Sequence, residues 1–252
     1  MSKLSPISRD VGVSVCMATC NGEKYLREQL SSILLQLHDS DEIIISDDAS
    51  TDRSIEIIAS FKDLRIKVFK HKYRLGVIKN FEYALLKASK KIIILADHDD
   101  VWLPGKRNLI VDELRNCHLV VTDAAIIDSV GNITGPSYFE IRKSGPGFFR
   151  NICRNSYIGC CMGFRREILS LALPFKKHCF HDISLGMVAE IFFSVRFKKA
   201  VLTHYRTHCG NYTSAAINSS KRKMYEKVRD RIALLHYIVI VAMRGRSFSR
   251  NK

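Results

Sequence analysis

Two aspartates, two positions apart, follow a strongly apolar run near the middle of the chain. Residues 92–96 read Ile-Ile-Ile-Leu-Ala, and Asp97, His98, Asp99 and Asp100 come directly after them. In an extended segment alternate side chains point the same way, so Asp97 and Asp99 can direct both carboxylates at one point. Two carboxylates that close repel each other unless a cation lies between them. The pair therefore predicts a site for Mg²⁺ or Mn²⁺, hard ions that bind carboxylates together with the phosphates of a substrate.

Acidic clusters at strand ends also have an ordinary explanation as solvated turns or helix caps. Asp52, which precedes an amphipathic segment, is interpreted as such a cap. For Asp97 and Asp99 the position in the chain favours the metal site, because polar loops follow the other early apolar runs as well. These loops lie at residues 19–22, 47–52 and 73–80. Ligands of open α/β sheets bind beyond the carboxyl ends of the strands, so all four loops can converge on one ligand.

The side chains of these loops suit a nucleotide diphosphate. Asp48 can accept the N3–H of a pyrimidine base, and Thr19, in a loop with Asn21, can support the base or the ribose. Lys79 lies where a diphosphate can pass, and a cationic side chain there would contact the phosphates. A capped helix start and a solvated basic face are the alternatives for these loops, and the sequence leaves them open.

The elements that position the loops alternate in type. Short β-rich runs, interpreted as buried strands, cover residues 13–18, 42–46, 65–69 and 91–96. Apolar residues at helical spacing separate them, as in the segment 25–37. This β-α-β-α order predicts an α/β fold with a mostly parallel sheet that helices flank on both faces.

After Asp100 the pattern changes. A Gly131-Asn132 turn follows a strand-like run and leads back toward Ile133. This pattern predicts mixed or antiparallel strands in a smaller part of the fold, which we expect to bind the second substrate, the acceptor. Helices are predicted near 104–117, 166–171 and 181–193, and strands near 119–127 and 195–205. We predict one domain over 1–215, with a nucleotide-binding half at about 11–100 and an acceptor half at about 101–215. A basic helical tail follows at 216–252.

The composition is strongly basic. The 40 Lys and Arg against 25 Asp and Glu give a formal charge of +15, which favours polyanionic partners such as nucleic acid, anionic lipid or diphosphates. The tail contributes ten Lys or Arg against two acidic residues. Its longest apolar stretch, 232–243, is about half of the ~20 residues that cross a bilayer, so we expect no membrane span.

The first apolar run, 11–18, is short and does not fit a secretory signal. The eight cysteines form no CxxC pair and are expected to be reduced, as in the cytosol.

Four segments together resemble successive blocks of the family 2 glycosyltransferases, in particular the bacterial rhamnosyltransferase-like branch. They read VSVCMATCNGEKYLREQLSSIL, EIIISDDASTD, RLGVIKNFEYAL and IIILADHDDVWLPGK. The resemblance runs in order from about Val13 to about Ser214. It implies a GT-A fold, a nucleotide diphosphate sugar donor and inversion at the anomeric carbon. It also implies that Thr19 and Asp48 bind the nucleotide and that Asp97 and Asp99 bind the metal ion.

Two departures from the family pattern stand in these blocks, and neither removes a carboxylate. Cys20 replaces a common aromatic residue, which weakens the expectation of base stacking, and His98 replaces a frequent glutamine. In the second half, Asp182 matches the position of the family's catalytic base, with a helix N-cap as the alternative. We expect the helix N-terminus to lower its pKa. The segment 205–211 is similar to the end of this branch's catalytic domain. There His208 can reach the metal ion or the diphosphate, and Arg206 can offset phosphate charge.

These observations predict an inverting, metal-dependent glycosyltransferase. It would transfer a sugar from dTDP-rhamnose or a UDP-hexose to a glycan or lipid-linked acceptor in the synthesis of cell-surface polysaccharide or lipopolysaccharide. We expect it in the cytoplasm, able to lie on the anionic inner face of the cell membrane through its basic tail. The alternatives are a nucleotide-sugar-binding module without catalysis and a nucleic-acid-binding protein. Nucleic acid is not an expected partner, because the chain has no recognised nucleic-acid-binding module.

Overall fold

The computed structural model of the protein describes residues 4–8, 10–207 and 224–250. The strands are β1 Val13–Thr19, β2 Glu42–Asp47, β3 Ile66–Lys70, β4 Ile92–Asp97, β5 Val101–Trp102, β6 Leu119–Ile127, β7 Met162–Arg165 and β8 Val195–Arg206. The helices are α1 Leu26–Leu34, α2 Ser54–Ser60, α3 Val77–Lys87, α4 Lys106–Leu114, α5 Tyr138–Arg142, α6 Phe148–Cys153, α7 Leu169–Ala172, α8 His181–Phe192 and α9 Met224–Arg250. The α/β class and the β-α-β-α order of the first half are confirmed.

The strands form one sheet with the order β3-β2-β1-β4-β7-β6-β8-β5. β3, β2, β1 and β4 are parallel, as the crossover helices between them require. β7 runs antiparallel to both β4 and β6 and joins the two halves, while β8 is parallel to β6. The predicted turn at Gly131 brings Ile133 into an antiparallel bridge with Ile127. The mixed character of the second half is therefore confirmed.

Helices cover both faces of the sheet, and each face has its own core. On one face α1 and α4 pack against alternate residues of β1, among them Val13, Val15 and Met17. On the other face α3 and α8 pack against the intervening residues Cys16 and Ala18. Because both faces of β1 are covered, the strand reads as a continuous apolar run instead of an alternating one.

One expectation for the sheet is wrong. The run 65–69 was predicted as a buried strand, but Lys67, Val68 and Lys70 of β3 are exposed. β3 is an edge strand, with β2 as its single neighbour in the sheet. Lys67 and Lys70 fit that position, since lysines on an edge strand oppose pairing with another sheet.

The helix of the basic tail packs on the domain that precedes it. Leu234, Tyr237 and Val241 of α9 are buried, and the Tyr237 hydroxyl donates a hydrogen bond to the carbonyl of Ala172 in α7. The opposite side of α9 is exposed and apolar. Within the described residues, no helix is both long enough and apolar enough to span a membrane.

Candidate active site

The polar loops of the first half meet at one edge of the sheet. In the strand register Thr19 lies beside Asp47, and Ala18 lies beside Asp97. The carboxyl ends of β1, β2 and β4 are therefore level, and the residues that follow them share one cleft. This is the convergence that the sequence predicts.

Thr19 and Asn80 line the floor of this cleft. The backbone carbonyl of Thr19 accepts hydrogen bonds from the Asp48 amide at 2.9 Å and from the Asn80 side-chain amide at 3.3 Å. The Thr19 hydroxyl and the Asn80 Oδ1 are buried and have no hydrogen-bond partner among the described residues. Buried polar groups are rarely left unpaired, so these two atoms are available to a ligand.

Asp48 holds the loop that leads into α3. Its two carboxylate oxygens accept the backbone N–H groups of Leu75, at 2.5 Å, and Gly76, at 3.0 Å. Gly76 has φ of +79°, a conformation that glycine adopts without steric cost. A carboxylate oxygen has more than one lone pair, so Asp48 can still accept a hydrogen bond from a nucleotide base.

Asn21 and Lys79 both make contacts within the protein. The Asn21 side-chain oxygen accepts the Thr51 amide N–H at 3.0 Å, which ties the loop after β1 to the loop after β2. The Lys79 ammonium pairs with Glu82 on the same helix at 2.5 Å and is half exposed. Contact of these two residues with a donor stays a prediction. Asp52 accepts the Ser54 amide N–H at 3.0 Å, but the N-cap of α2 is Arg53, so Asp52 lies one residue before the predicted cap position.

The acidic cluster has a different geometry from the one that the spacing suggested. Residues 98 and 99 form a turn after β4, so strand alternation does not set the directions of Asp97 and Asp99. Ligand atoms of Asp97, Asp100 and Cys160 lie within 4.8 Å of one another. Neither Asp100 nor Cys160 was predicted from the sequence as a metal ligand. Asp100 was visible as the fourth residue of the motif, whereas only the pairing of β7 with β4 brings Cys160 there.

Negative charge accumulates around Asp97. Burial, together with the nearby carboxylates of Asp99 and Asp182, raises the pKa of Asp97 to about 8. Burial and the carboxylates of Asp99 and Asp97 also raise the pKa of Asp100 well above its ordinary value. The effects on Asp97 place the carboxylates of Asp99 and Asp182 near it, although Asp97 and Asp182 come from different halves of the chain.

These carboxylates fit a hard divalent cation. The Asp100 Oδ2 atom is buried and has no hydrogen-bond partner among the described residues. Asp97 is partly accessible, so it can contact an ion and a substrate at once. A Mg²⁺ or Mn²⁺ ion would offset the repulsion between these carboxylates and would satisfy the Asp100 Oδ2 atom. The Cys160 thiol is a softer ligand, and it contributes less to such an ion.

Asp182 lies in the first turn of α8. One carboxylate oxygen accepts the Ile183 amide N–H at 2.7 Å. The expected lowering of its pKa is wrong in sign. Burial outweighs the hydrogen bonds from the helix N-terminus and raises the pKa of Asp182 to about 6. A carboxyl group with this pKa is ionised at neutral pH and remains a stronger base than an exposed aspartate.

His181 packs behind Asp182. Its ring stacks on Phe81 of α3 with the centroids 3.8 Å apart, and burial lowers the pKa of His181 to about 3. Gly159 makes room for the ring, because a Cβ there would lie 2.8 Å from His181 Nε2. The neutral imidazole therefore fixes the first turn of α8.

Arg206 contacts the loop that follows β4 and is not exposed to a phosphate. Its guanidinium is buried and donates hydrogen bonds to the Asp99 carbonyl at 2.9 Å and to Glu28 at 2.7 Å. It also stacks on Tyr25. Its backbone N–H donates to Asp100 Oδ1 at 3.0 Å. A direct contact of Arg206 with the donor stays a prediction, and His208 lies outside the described residues.

Lys106 is a further residue that the sequence analysis missed. Its ammonium is buried and donates to the Cys160 carbonyl at 2.6 Å and to the Thr203 hydroxyl at 2.7 Å. Burial lowers the pKa of Lys106, and the opposing effects of Cys161, Cys160, Asp100 and Asp97 place this cation beside the acidic cluster. Its position directly after Gly105, at the start of a helix, carries no signal of this role in the sequence.

Solved structures with the same architecture are nucleotide-sugar glycosyltransferases with the GT-A fold. TarS of S. aureus in complex with UDP-GlcNAc aligns with a TM-score of 0.64 at 18% identity, covering 90% of this chain and 72% of TarS. The mannosyltransferase PcManGT from Pyrobaculum calidifontis, solved with GDP-Man and Mn²⁺, aligns with a TM-score of 0.60 at 16% identity. That alignment covers 95% of this chain and 75% of PcManGT. At these identities the likeness shows the fold alone.

The chain belongs to the glycosyltransferase family 2, because the sequence model described as Glycosyl transferase family 2 matches residues 14–171. Among characterised relatives, the UDP-Glc:alpha-D-GlcNAc-diphosphoundecaprenol beta-1,3-glucosyltransferase WfgD of Escherichia coli is 25% identical over 245 residues. This match covers 92% of this chain and 94% of WfgD. The dTDP-rhamnosyl transferase RfbG of Shigella flexneri is 29% identical over 239 residues, which cover 85% of this chain and 80% of RfbG.

Proposed function

We propose that the protein is an inverting, metal-dependent glycosyltransferase that uses a nucleotide diphosphate sugar and acts in the synthesis of cell-surface polysaccharide or lipopolysaccharide. The observation that carries the proposal is the proximity of the Asp97 and Asp182 carboxylates. One carboxylate follows a strand of the nucleotide-binding half, and the other begins a helix of the second half. A group that holds the departing diphosphate and a group that accepts a proton are thus brought together.

The donor binds along the ends of β1 and β2. The open hydrogen-bonding capacity of Thr19, Asn80 and Asp48 supports binding of a nucleoside there. WfgD is named for a UDP-Glc donor and RfbG for a dTDP-rhamnosyl donor. Both nucleotides contain a pyrimidine, whose N3–H is the donor that Asp48 can accept. The proposed donor is therefore dTDP-rhamnose or a UDP-hexose.

Asp97, with Asp99 or Asp100, would hold a Mg²⁺ or Mn²⁺ ion at the β4 end of the cleft. When bound, the ion neutralises the charge that develops on the leaving diphosphate. Asp97 also lies near Asp182, the proposed catalytic base, so the same residue would orient both the donor and the acceptor. Arg206 keeps the acidic loop in place through the Asp99 carbonyl and the Asp100 carboxylate.

Asp182 is the proposed base. Its carboxylate would take the proton from an acceptor hydroxyl while that oxygen forms a bond to the anomeric carbon. The bond from the anomeric carbon to the diphosphate oxygen breaks on the opposite face, which inverts the configuration. The nucleoside diphosphate leaves with the electron pair of that bond.

An acceptor carried by a membrane lipid would require the enzyme to reach a membrane surface. Six exposed apolar residues of α9, spaced three or four positions apart, support this, and they are Tyr225, Val228, Ile232, Leu235, Val239 and Met243. Together they form an apolar stripe along one side of the helix, and Arg229 flanks it. Apolar residues with basic neighbours are typical of a helix that lies on an anionic membrane. We propose a cytoplasmic enzyme that binds the inner face of the membrane through this α9 stripe.

Replacement of Asp97 by Asn tests the donor site. Asp97→Asn should abolish the Mn²⁺-dependent stabilisation of the protein by UDP or dTDP, because it removes one charge of the cation site. Thermal denaturation with and without nucleotide measures this effect. Release of nucleoside diphosphate from UDP-glucose and dTDP-rhamnose should fall at least a hundredfold.

Asp112→Asn is a suitable control, because Asp112 lies in α4 outside the cleft. Retention of both nucleotide binding and turnover in Asp97→Asn would refute the proposed site. A wild-type protein that binds the nucleotide and releases no product would instead favour the alternative of a binding module without catalysis.

A further inference from the structure

The Cys160 thiol lies beside two carboxylates from the end of β4 and the loop that follows it. Ligand atoms of Asp97, Asp100 and Cys160 lie within 4.8 Å of one another, close enough for one ion to contact all three. Asp100 and Cys160 are buried, whereas Asp97 is partly accessible, so an ion would reach the other two residues past Asp97. We call Asp97, Asp100 and Cys160 the Asp-Asp-Cys group. It combines two oxygen ligands with one sulfur ligand.

The two carboxylates of the group have few protein partners. Within the described part of the chain, the Asp97 carboxylate forms no hydrogen bond and no ion pair. Asp100 Oδ1 accepts one backbone N–H, from Arg206 at 3.0 Å, and Asp100 Oδ2 is buried with no hydrogen-bond partner among the described residues. Buried polar atoms are rarely left unpaired, so these oxygens favour a ligand that brings positive charge.

The position of the sulfur is set by the backbone around it. Cys160 belongs to the 3-10 turn Gly159–Cys161, which leads directly into β7. The Lys106 ammonium donates a hydrogen bond to the Cys160 carbonyl at 2.6 Å, and the Thr122 hydroxyl donates to the Cys161 carbonyl at 3.3 Å. These contacts hold the turn from two sides, so the thiol is in place before an ion binds.

Sulfur changes which ions such a group prefers. Mg²⁺ and Mn²⁺ favour oxygen ligands, whereas thiolates favour softer ions such as Zn²⁺. Zn²⁺ binds both the sulfur of cysteine and the oxygens of aspartate, and three protein ligands leave one of its coordination positions open. When the thiol binds such an ion, the S–H bond breaks, a bond from sulfur to the metal forms, and the proton leaves to solvent.

We propose that Cys160 is a ligand of the divalent ion that Asp97 and Asp100 hold, and that its sulfur gives the site a preference for Co²⁺, Zn²⁺ and Cd²⁺ over Mn²⁺. The inference rests on the proposed function for the role of the ion, and it adds a ligand from the second half of the chain. A sulfur-preferring ion would therefore displace Mn²⁺ from the Asp-Asp-Cys group.

Co²⁺ is the probe, because a thiolate bound to Co²⁺ gives a charge-transfer absorption band in the near ultraviolet that carboxylates do not give. The metal-free wild type should develop this band on titration with Co²⁺, and Cys160→Ser should abolish it. Calorimetry should show that Cys160→Ser weakens Cd²⁺ binding at least ~tenfold, since even the loss of an outer-shell partner costs about 10–100-fold in metal affinity. Its Mn²⁺ affinity should stay within about threefold of the wild type, because Mn²⁺ depends on the carboxylates.

Cys161→Ser is the matched control for Cys160→Ser. It makes the same change at the next residue, whose buried sulfur lies 4.0 Å from that of Cys160, and it should keep the band. Asp97→Asn should weaken Co²⁺ binding at least ~tenfold, which assigns the sulfur and the carboxylate to one ion. Thermal denaturation without metal identifies any variant that fails to fold. If Cys160→Ser does not fold, the wild-type band and its dependence on Asp97 decide the test.

The inference is overturned if saturating Co²⁺ gives no band with the wild type, if folded Cys160→Ser keeps the band, or if Asp97→Asn binds Co²⁺ as tightly as the wild type. Release of nucleoside diphosphate from UDP-glucose and dTDP-rhamnose by the wild type with Mn²⁺ is a separate readout. A band without this release would keep Cys160 as a ligand and refute the proposed function. Release without a band would refute the inference alone.

Discussion

At the scale of single residues, three carboxylates lie in different environments, and these differences distinguish the roles proposed for them. Asp48 accepts two backbone N–H groups, Asp97 is surrounded by other carboxylates, and Asp182 is buried at a helix N-terminus. A group that must take a proton at neutral pH benefits from a pKa near that pH. The raised pKa of Asp182 is therefore consistent with its proposed role as the catalytic base. Burial, and not the helix N-terminus, determines the direction of this pKa shift.

The pH dependence of transfer should report Asp182. Only the ionised carboxylate can accept a proton, so kcat/KM should fall as the pH drops through about 6, the pKa of Asp182 in the free protein. Asp182→Asn should lower kcat by about 10²–10⁴-fold while nucleotide binding stays within about twofold of the wild type. Steady-state kinetics between pH 5 and pH 8 measure both effects. A flat profile, or an active Asp182→Asn protein, would exclude this residue as the base.

At the scale of elements, β7 brings the two halves of the site together. It pairs with β4 on one side and β6 on the other, and the turn before it carries Cys160 to the acidic cluster. Helix α4 approaches β7 closely at Gly163, where a Cβ would lie 2.2 Å from Ile110 Cγ2. This close approach places Lys106, the first residue of α4, against the Cys160 carbonyl.

Gly163→Ala should therefore destabilise the protein and disturb the site. Overpacking of a filled core costs about 1–3 kcal/mol, and for a chain of this size 1 kcal/mol lowers Tm by roughly 2–4 °C. Thermal denaturation should show this loss for Gly163→Ala. Gly135→Ala, where nothing lies within 4 Å of the added carbon, should leave Tm unchanged.

A second substitution checks that the cause of this loss is the contact with Ile110. Gly163→Ala combined with Ile110→Ala should lower Tm by less than the sum of the two single losses, because the shortened side chain at position 110 no longer clashes with the added carbon. Purely additive losses in the double variant would contradict this explanation.

At the scale of the whole molecule, apolar and basic surfaces occur together on the C-terminal helix. α9 packs on α7 and α8 through one side and exposes the α9 stripe on the other. In the proposed membrane contact, the net charge of +15 would attract the protein to anionic lipid, and the apolar residues would enter the interface.

Co-sedimentation with vesicles tests membrane binding. The wild type should sediment with vesicles of phosphatidylglycerol and phosphatidylcholine and much less with phosphatidylcholine alone, and added salt should weaken binding because it screens charge. Replacing both Ile232 and Leu235 by Ser should reduce binding at least fivefold. Leu64→Ser, which changes an exposed leucine far from α9 in sequence, is the control. Equal sedimentation of both variants would rule out the α9 stripe as the contact.

The sequence alone determined the architecture and most of the donor side. The apolar runs that became β1, β2 and β4 fixed the parallel strands, and polar residues directly after them had to meet at one edge, because parallel strands end level. The positions of Thr19, Asp48 and Asp97 at this edge could be predicted for this reason, and their roles stay predictions. The burial of the run 65–69 could not, since burial depends on whether a strand is at the edge of the sheet.

Tertiary structure alone decided the contacts between distant parts of the chain. Cys160 and Lys106 come together through the antiparallel pairing of β7 and the packing of α4, which no local pattern encodes. The sign of the pKa shift of Asp182 also depends on its surroundings, because burial outweighs the local effect of the helix end. Local periodicity specifies each helix and strand. The distances between charged groups, and the burial of those groups from solvent, are set only when the helices and strands pack together.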